Sequence, residues 1–415
     1  TLFSDTAALE GLDLATFPDY PAEIRAPHNT IAGVSGFQVH VGTKKIETTG
    51  DLCDVLVAMN PASLKANLKW AKPGATIIVD ENAFDEAALK KSGYTENPLE
   101  NGSLSGYNLV KAPITLLTRE AVKHLSIDNK SAERSKNMFA LGMMYHLFGW
   151  SSKHTYDFFD KKFKNKPDVI AANKAVLEAG FNYAETIEAL ASVFQVSKAK
   201  MEPGRYRNIT GNVATAWGFL AASERSGRPL FLGSYPITPA TEILIELAKY
   251  KSLGAKVFQA EDEIAGICSA IGASYTGSLA LTTTSGPGLS LKSEAIGLAV
   301  MTELPLVIVN VQRGGPSTGL PTKSEQSDLY QALFGRNGEC PAVVIAASSS
   351  ANCFYYAYMA SKIAMEHMTP VILLTDGYLG NGSQLFRIPK VAELPEIKPP
   401  VAKPNDPDFK PYRRN

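Results

Sequence analysis

The sequence of 415 residues has no excess of basic residues and no long apolar run. Lysine plus arginine equals aspartate plus glutamate, at 41 each, so the basic excess typical of nucleic-acid-binding proteins is missing and we expect no nucleic-acid partner. No apolar run reaches the length of a membrane span, so we expect no membrane insertion. Residues 1–5 contain neither a methionine nor a basic region, so we expect that residues are missing upstream.

Cysteines are few, and no two of them form a Cys-x-x-Cys pair. They are Cys53, Cys268, Cys340 and Cys353. This spacing offers no ligand set for zinc or an iron–sulfur cluster. Because apolar or small residues flank each one, we interpret all four as buried free thiols of a cytoplasmic protein. The chain also lacks the phosphate loop of P-loop NTPases and the glycine fingerprint of dinucleotide-binding folds.

Apolar segments of strand length alternate with helical segments, which indicates parallel α/β sheets. In the first half, residues 54–58 and 74–80 are predicted strands with a helix over 63–71 between them, and residues 131–150 and 182–195 are predicted helices. In the second half, a helix over about 214–226 precedes the predicted strands 230–234, 256–259, 279–283, 306–311, 342–345 and 371–375.

The fold class is therefore α/β, with two parallel-sheet domains over residues 1–197 and 209–387, the second of them doubly wound. The polar segment 198–208 is a predicted linker. The tail, residues 388–415, is rich in proline and lysine without periodicity, which is typical of an extended linker toward a further domain.

The segment Tyr-Pro-Ile-Thr-Pro, residues 235–239, directly follows a predicted strand. Two prolines restrict its backbone and would hold the Thr238 hydroxyl at the carboxyl edge of a parallel sheet, where open α/β folds bind ligands. A purely structural strand-to-helix turn is an equally good interpretation of this segment alone.

An acidic triplet, residues 261–263, follows the next predicted strand and precedes an apolar helix. Carboxylates at a helix N-terminus are stabilised by the helix dipole, which is one interpretation. The other is that one carboxyl, placed among apolar residues, acts as a proton donor.

Two further loops follow predicted strands. The hydroxyl-rich loop 282–288 opens a helix and could receive an anion through backbone N–H groups, although alone it is weak evidence. The loop 313–328 begins with Arg313, whose guanidinium can bind a carboxylate with two parallel hydrogen bonds, unless it is a solvated side chain of a flexible loop.

Together these four segments resemble the α subunits of 2-oxoacid:ferredoxin oxidoreductases, over essentially residues 205–390. The motifs occur in the family's order: Tyr-Pro-Ile-Thr-Pro, Glu-Asp-Glu-Ile-Ala, Thr-Ser-Gly-Pro-Gly and Arg-Gly-Gly-Pro-Ser-Thr-Gly-Leu-Pro-Thr. The first block is similar to the family's γ domain, fused upstream as in the 2-oxoglutarate and general 2-oxoacid members, with its best match over residues 17–30. The Gly-Gly-x-Gly loop that normally begins this domain is absent, which supports a missing N-terminus.

The resemblance implies an enzyme that cleaves a 2-oxoacid oxidatively with coenzyme A, and the fused γ domain favours 2-oxoglutarate as that acid. Thiamine diphosphate carries the carbanion chemistry, and a [4Fe–4S] cluster in a partner β subunit passes electrons to ferredoxin. It also implies an (αβ)2 assembly, Mg²⁺ at the diphosphate half in the β subunit, and a reverse reaction that fixes CO2, as in the reductive TCA cycle.

In this family a glutamate hydrogen-bonds the aminopyrimidine ring and favours the imino tautomer. The family pattern places a glycine nine residues later; Glu263 and Gly272 satisfy that spacing, whereas Glu261 does not. Glu263 is thus the expected catalytic residue. The expected cofactor-binding residues are Tyr235, Pro236, Ile237, Glu263, Thr284 and Ser285.

The resemblance also assigns the substrate-binding residues. Arg313 would bind the 2-oxoacid carboxylate with Thr322 beside it, and Thr238 would touch the substrate or the thiazolium ring. Ser317 and Lys323 are further neighbours.

For a metal, the family signature is Gly-Asp-Gly followed by an asparagine. The spacing between residues 375–377 and Asn405 is close to the spacing in that signature. Thr375 replaces the first glycine, however, and Asn405 lies in the proline-rich tail. We therefore expect neither a metal nor a cluster in this chain.

Three alternatives remain at this point. The same chemistry could act on pyruvate, a branched-chain oxoacid or a broad range of oxoacids. The chain could be a non-catalytic subunit that scaffolds its partner. It could also be an NAD-dependent dehydrogenase, which the missing dinucleotide fingerprint disfavours.

Overall fold

The computed structural model describes residues 1–20, 34–125, 127–187, 194–402 and 405–410. The chain divides into two compact units, and the change of unit falls between Pro203 and Gly204. This position lies within the predicted linker, although the domain bounds themselves stay a prediction. Of the stretch 17–30 that resembles the γ domain, residues 21–30 lie outside the described residues.

The first unit is built around a parallel sheet. Its elements in chain order are α1 Leu2–Leu9, β1 Asp13–Asp19, β2 Gly36–Gly42, β3 Cys53–Ala58, α2 Pro61–Asn67, β4 Ala71–Asp80, α3 Glu86–Lys91, β5 Asn108–Ala112, α4 Ile114–Val122, α5 Asn129–Arg134, α6 Lys136–Phe148, α7 Lys153–Lys162 and α8 Pro167–Thr186. Strands β3, β4 and β5 pair in parallel in that order, while β1 and β2 pair antiparallel. The last six residues of β4 are all buried, as expected for a central parallel strand that is covered on both faces.

Local sequence explains the boundaries and the close packing in this unit. The Asn60 side chain caps α2 by accepting a hydrogen bond from the Ser63 backbone N–H at 2.8 Å. Helices α6 and α8 approach each other at Gly142 and Gly180; a Cβ on Gly142 would lie 2.1 Å from the Leu177 carbonyl oxygen. Only glycine permits that approach.

The second unit contains a larger parallel sheet. Its elements are β6 Tyr206–Thr210, α9 Gly211–Ser226, β7 Leu230–Ser234, α10 Thr241–Leu247, β8 Lys256–Gln259, α11 Glu263–Tyr275, β9 Leu279–Thr284, α12 Gly286–Leu291, α13 Ser293–Met301, β10 Leu306–Gln312, α14 Leu329–Phe334, β11 Val343–Ala346, α15 Cys353–His367, β12 Pro370–Asp376, α16 Gly377–Asn381 and β13 Ser383–Arg387. Six of these strands form a parallel sheet in the order β11–β12–β10–β9–β7–β8. Strands β6 and β13 pair antiparallel.

This sheet is doubly wound, as predicted. Along β10, Val307 and Val309 pack into one apolar core with α9, α10 and α15, whereas Leu306 and Ile308 pack into a second core with α11, α12 and α13. Successive side chains of a strand point to opposite faces, so helices cover both faces of the sheet. The predicted α/β class with two parallel-sheet domains is confirmed.

Of two helix predictions in the first half of the chain, one is confirmed and one is wrong. The predicted helix over 131–150 is confirmed as α5 and α6. The predicted helix over 182–195 is wrong in both bounds, because residues 182–186 are the end of α8, which begins at Pro167, and residues 187, 194 and 195 are not helical. Residues 188–193 lie outside the described residues. In the described part of the chain, no helix is long and apolar enough to cross a membrane.

The expectation of four buried thiols is wrong for three cysteines. Cys353 is buried, and burial raises the pKa of its thiol to about 12. Cys268 is exposed because it shares the outer face of α11 with Ile264 and Tyr275, at helical spacings of four and seven residues. The two half-buried thiols are Cys53 and Cys340.

The start of the tail packs against the second unit. Leu394 and Ile397 are buried in its core, and the Tyr358 hydroxyl donates a hydrogen bond to the Pro395 carbonyl oxygen. An extended segment can bury isolated side chains without any periodicity in its sequence, and for that reason the composition did not indicate this contact. The linker interpretation of residues 388–415 stays a prediction.

Candidate active site

Four of the sequence motifs meet at the carboxyl edge of the six-stranded sheet. Residues 235–239 follow β7, residues 261–263 follow β8, Ser285 follows β9 and Arg313 follows β10. The strand order reverses between β7 and β9, since β8 lies outside β7. Open α/β sheets bind ligands at this kind of position, outside the carboxyl ends of the strands.

The turn after β7 is held from two sides. The Ser234 hydroxyl donates to the Thr283 carbonyl oxygen at 2.7 Å, which ties the ends of β7 and β9 together. The buried Asn212 side chain donates to the Pro239 carbonyl oxygen at 2.9 Å. Thr238 is half-buried, whereas Tyr235 is 38% exposed. These contacts give the turn a fixed position at the edge of the sheet.

Arg313 links this turn to the long loop that follows β10. Its side chain is only 7% exposed; Nη1 donates to the Thr238 carbonyl oxygen at 2.7 Å and Nη2 to the Thr318 carbonyl oxygen at 2.9 Å. Nε has no hydrogen-bond partner among the described residues. Burial lowers the pKa of Arg313, and the nearby Glu263 carboxylate opposes that shift. Two of the five N–H donors of the guanidinium are therefore used by main-chain carbonyls, and the others remain for a ligand.

Glu263 is the first residue of α11 and is half-buried. Asp262, not Glu263, caps the helix, because its carboxylate accepts a hydrogen bond from the Ala265 N–H at 2.7 Å. A Cβ on Gly288 would lie 2.9 Å from Glu263 Cγ and 2.0 Å from Thr284 Oγ1. Glycine at position 288 thus leaves the space that the Glu263 and Thr284 side chains need beside it.

The alternative carboxylate, Glu261, is exposed. Gly272, whose spacing favoured Glu263, is exposed as well, with no atom within 4 Å of a Cβ built on it. The geometry therefore supports Glu263 through Gly288 and Thr284 and gives the glycine at position 272 no contact that would explain the spacing. The catalytic role of Glu263 stays a prediction.

The loop opening α12 contributes buried hydroxyl groups. Thr284 and Ser285 are both fully buried. Ser285 Oγ and Thr282 Oγ1 have no hydrogen-bond partner within the described part of the chain. Buried hydroxyls usually have a partner, so these two groups are candidates for contact with a bound molecule.

The loop after β10 is fixed by its own hydrogen bonds. The Gly314 N–H donates to the Lys323 carbonyl oxygen at 2.8 Å, and the Gly315 N–H donates to Glu325 Oε2 at 2.8 Å. Gly319 has φ +51°, and a Cβ there would lie 1.9 Å from the Gly314 carbonyl oxygen. The predicted site residues of this loop are Thr322 and Lys323, which are half-buried, and Ser317, which is exposed.

Sequence reasoning missed Lys292, which is fully buried at the end of α12. Its Nζ donates to the Glu263 main-chain oxygen at 2.8 Å. Burial lowers the pKa of Lys292 to about 8, against the opposing charges of Glu263, Asp262 and Cys268. A single lysine within the otherwise uncharged stretch 286–292 was the available signal.

Sequence reasoning also missed Asn212, which holds the turn after β7. Asp376, which resembled part of a metal signature, accepts hydrogen bonds from the Tyr378 and Leu379 N–H groups and caps α16. Across the described ranges, no group of three or more His, Cys, Asp or Glu side chains could hold a metal ion.

Comparisons with known proteins cover both units. Residues 1–183 match the family described as "Pyruvate ferredoxin/flavodoxin oxidoreductase", and residues 223–413 match "Pyruvate flavodoxin/ferredoxin oxidoreductase, thiamine diP-bdg". The 2-oxoglutarate oxidoreductase subunit KorA of Mycobacterium tuberculosis is 53% identical over 413 residues, covering 100% of this chain and 63% of the relative. The 2-oxoglutarate synthase subunit KorA of Methanothermobacter marburgensis is 42% identical over 206 residues, covering 49% of this chain and 53% of the relative.

A solved structure is similar over nearly the whole chain. It is the 2-oxoglutarate:ferredoxin oxidoreductase from Magnetococcus marinus with 2-oxoglutarate, coenzyme A and succinyl-CoA bound, at 34% identity and a TM-score of 0.80. The similarity covers 96% of this chain and 64% of that one, so the chain spans somewhat less than two thirds of these relatives. The chain belongs to the 2-oxoacid:ferredoxin oxidoreductase family.

Proposed function

We propose that this chain forms the α-subunit half of the active site of a 2-oxoglutarate:ferredoxin oxidoreductase. The reaction converts 2-oxoglutarate and coenzyme A into succinyl-CoA and CO2, and two electrons pass to ferredoxin. The observation that carries the proposal is the hydrogen bond of 2.7 Å between Arg313 and the Thr238 carbonyl oxygen. It joins two family motifs where the strand order reverses, with the Glu263 charge close enough to act on the guanidinium. The 53% identity to a 2-oxoglutarate oxidoreductase subunit supports the same substrate.

The residues present fit the pyrimidine half of thiamine diphosphate. Ser285 Oγ is buried without a partner in the described residues, and Gly288 leaves space beside Glu263 and Thr284. When bound, thiamine diphosphate supplies the stabilisation of a carbanion. Glu263 would hold the aminopyrimidine ring through its carboxyl group and keep a proton available there. The backbone turn formed by Tyr235, Pro236 and Ile237 would line the same half.

Arg313 would bind the substrate carboxylate with the N–H donors that the main chain leaves unused. The guanidinium is buried and fixed by two carbonyl oxygens, so little side-chain entropy is lost when it binds a carboxylate. The hydroxyls of Thr238 and Thr322 would orient the rest of the substrate, and the rigid loop after β10 would exclude water from it.

The remaining parts of the enzyme are proposed on a partner subunit. A β subunit would hold Mg²⁺ with the diphosphate half and a [4Fe–4S] cluster, in an (αβ)2 heterotetramer of the cytoplasm that reduces ferredoxin. The relatives named as subunits support a multi-subunit enzyme. Run in reverse, the same complex would fix CO2 by reductive carboxylation, the direction of the reductive TCA cycle.

A broader specificity is the second candidate. The α subunit of 2-oxoacid:ferredoxin oxidoreductase 1 of Sulfurisphaera tokodaii is 29% identical over 412 residues, covering 92% of this chain. That relative is named for 2-oxoacids in general, which supports a wider substrate range as the second candidate.

An assay of the assembled complex tests the proposal. The full-length protein, co-produced with its β subunit, would be given 2-oxoglutarate, pyruvate and a branched-chain oxoacid, with coenzyme A and a low-potential dye. We expect the highest kcat/KM for 2-oxoglutarate and no turnover with NAD in place of the dye. Similar kcat/KM values for all three acids would favour the broader specificity. No turnover with any acid would favour a non-catalytic subunit.

A further inference from the structure

Lys292 is a buried cation that the proposed function does not use. Its side chain is fully buried, and its backbone N–H donates to the Gly288 and Leu289 carbonyl oxygens at the end of α12. Among the described residues, the Glu263 main-chain oxygen, at 2.8 Å, is the acceptor within hydrogen-bond distance of Nζ. Burying an ammonium group is costly, and an apolar side chain of similar length would fill the same space at lower cost.

The position of Lys292 relative to Glu263 suggests what the buried ammonium group does. Helix α12 contacts Glu263 at two points: Gly288 lies against the side chain, and Lys292 binds the main chain. Thr284, whose hydroxyl lies against the same glycine, is the last residue of β9, two residues before the start of α12. One short helix thus fixes both the backbone and the side chain of the proposed catalytic glutamate.

We propose that Lys292 is a positioning residue for Glu263: its ammonium group fixes the first turn of α11, so that the Glu263 carboxyl stays beside Gly288 and Thr284. The inference rests on the proposed function, which gives the Glu263 carboxyl its task. Lys292 itself touches neither substrate nor cofactor in this role.

The charges around Lys292 make the role dependent on pH. Burial lowers its pKa to about 8, while Glu263, Asp262 and Cys268, all on α11 or its cap, act in the opposite direction. The Glu263 charge also acts on Arg313, the residue after β10, and raises its pKa against the effect of burial. Asp328 lies against the start of α12, where its carboxylate would be 3.0 Å from a Cβ on Gly286. Above about pH 8 the ammonium loses its charge and its attraction to the start of α11.

The test compares Lys292→Met, Lys292→Arg and Glu263→Gln in the assembled enzyme, with Lys251→Met as an exposed control in the same unit. We expect Lys292→Met to lower kcat by about 10- to 100-fold, since displacement of a catalytic group by about 1 Å has that effect. The wild-type kcat should fall with an inflection near pH 8, and Lys292→Arg should move that inflection upward. Lys251→Met should change neither quantity.

Binding of thiamine diphosphate, measured by titration calorimetry, gives a readout independent of turnover. Lys292→Met and Glu263→Gln should each weaken binding by about tenfold, the effect of one lost hydrogen bond. The double variant should bind no more weakly than Glu263→Gln alone, because both changes remove the same contact. Additive losses would show a general structural role and overturn the proposal.

The outcomes separate the two claims. If Glu263→Gln keeps its activity, the proposed role of the carboxyl fails, whatever Lys292→Met does. If Glu263→Gln is inactive but Lys292→Met behaves as wild type, only the inference about Lys292 fails. Should Lys292→Met not assemble, the wild-type and Lys292→Arg pH profiles decide, and an unchanged inflection contradicts the inference.

Discussion

The two units end their parallel strands in opposite ways. At the carboxyl end of β4 in the first unit, the buried Asp80 accepts hydrogen bonds from the Thr115 N–H at 3.1 Å and from its hydroxyl at 2.5 Å. Asn82 accepts one from the Leu116 N–H at 2.9 Å. The polar groups at this edge accept hydrogen bonds from the first turn of α4, so little hydrogen-bonding capacity remains for a ligand.

The carboxyl edge of the second unit instead keeps polar groups without partners. Among the described residues these are Thr282 Oγ1, Ser285 Oγ, Asn310 Oδ1 and Arg313 Nε. Leaving a buried polar group unpaired costs roughly 1–3 kcal/mol. A cluster of such groups therefore lowers the stability of the fold. A parallel sheet thus ends in a structural edge in one unit and in a candidate binding edge in the other, and the unpaired groups distinguish the two edges.

The largest expected effect comes from Glu263→Gln in the assembled enzyme. The change keeps the shape of the side chain and removes its acidity, and general acid–base assistance is worth about 10²–10⁴-fold. We expect a fall of that order in kcat, together with slower deuterium exchange at the thiazolium C2 position.

The matched control is Glu261→Gln, because Glu261 is exposed while Glu263 lies beside Gly288. Most activity should remain in this control. If Glu261→Gln is the inactive variant, the assignment is wrong by two residues. If both variants stay active, the triplet only starts a helix, and the edge is not a catalytic one.

Arg313→Met should have the next largest effect. It would remove the proposed charge-assisted hydrogen bonds to the substrate carboxylate, worth about 1.5–3 kcal/mol, so the KM for 2-oxoglutarate should rise about 10- to 100-fold. Steady-state kinetics and titration of thiamine diphosphate measure this, and cofactor binding should hardly change.

Arg336→Met is the matched control, since Arg336 also donates to main-chain carbonyl oxygens in the second unit. It should leave KM unaltered. Equal KM values for wild type and Arg313→Met would place the substrate carboxylate elsewhere. Arg313 would then serve only to join two loops by hydrogen bonds.

Asp80→Ala tests the structural edge of the first unit. The change leaves the Thr115 N–H and hydroxyl unpaired at the start of α4, which should lower the free energy of unfolding by about 1–3 kcal/mol. Urea denaturation measures it, with the exposed Glu86→Ala as control, expected within about 0.5 kcal/mol of wild type. A raised KM for the oxoacid in the folded Asp80→Ala variant would contradict the claim that the edge of the first unit is only structural.

The sequence alone predicted the sheet of the second unit well. Strands buried on both faces are continuous apolar runs, and the six predicted segments agree with the observed strands to within one residue at each end. The motifs at their ends were found for the same reason, since each directly follows such a run. The resemblance to the family then named the residues that the fold brings together.

Features that depend on helix faces and on packing were not predictable in this way. Cys268 has apolar neighbours in sequence, yet it faces outward because of the helical period of α11. Lys292 carries a charge that usually lies at the surface, and only the packing of α12 under α11 buries it. The partners of Asp80 and the lack of partners at Ser285 become visible only when the loops are in place.

The smallest expected effect, and the sharpest contrast between the units, comes from removing an unpaired hydroxyl in each. Ser285 Oγ in the second unit and Thr118 Oγ1 in the first are both buried without a partner among the described residues. Removal of either loses no internal hydrogen bond, so Ser285→Ala and Thr118→Val should leave the free energy of unfolding unchanged or raise it by up to about 1 kcal/mol. Only Ser285 lies at the binding edge, so only Ser285→Ala should weaken thiamine diphosphate binding, by about 0.5–1.5 kcal/mol or roughly two- to tenfold. Urea denaturation and titration calorimetry of the assembled enzyme measure the two quantities. If Ser285→Ala destabilises the protein and binds the cofactor as wild type does, its hydroxyl serves the fold, and unpaired groups do not mark the binding edge.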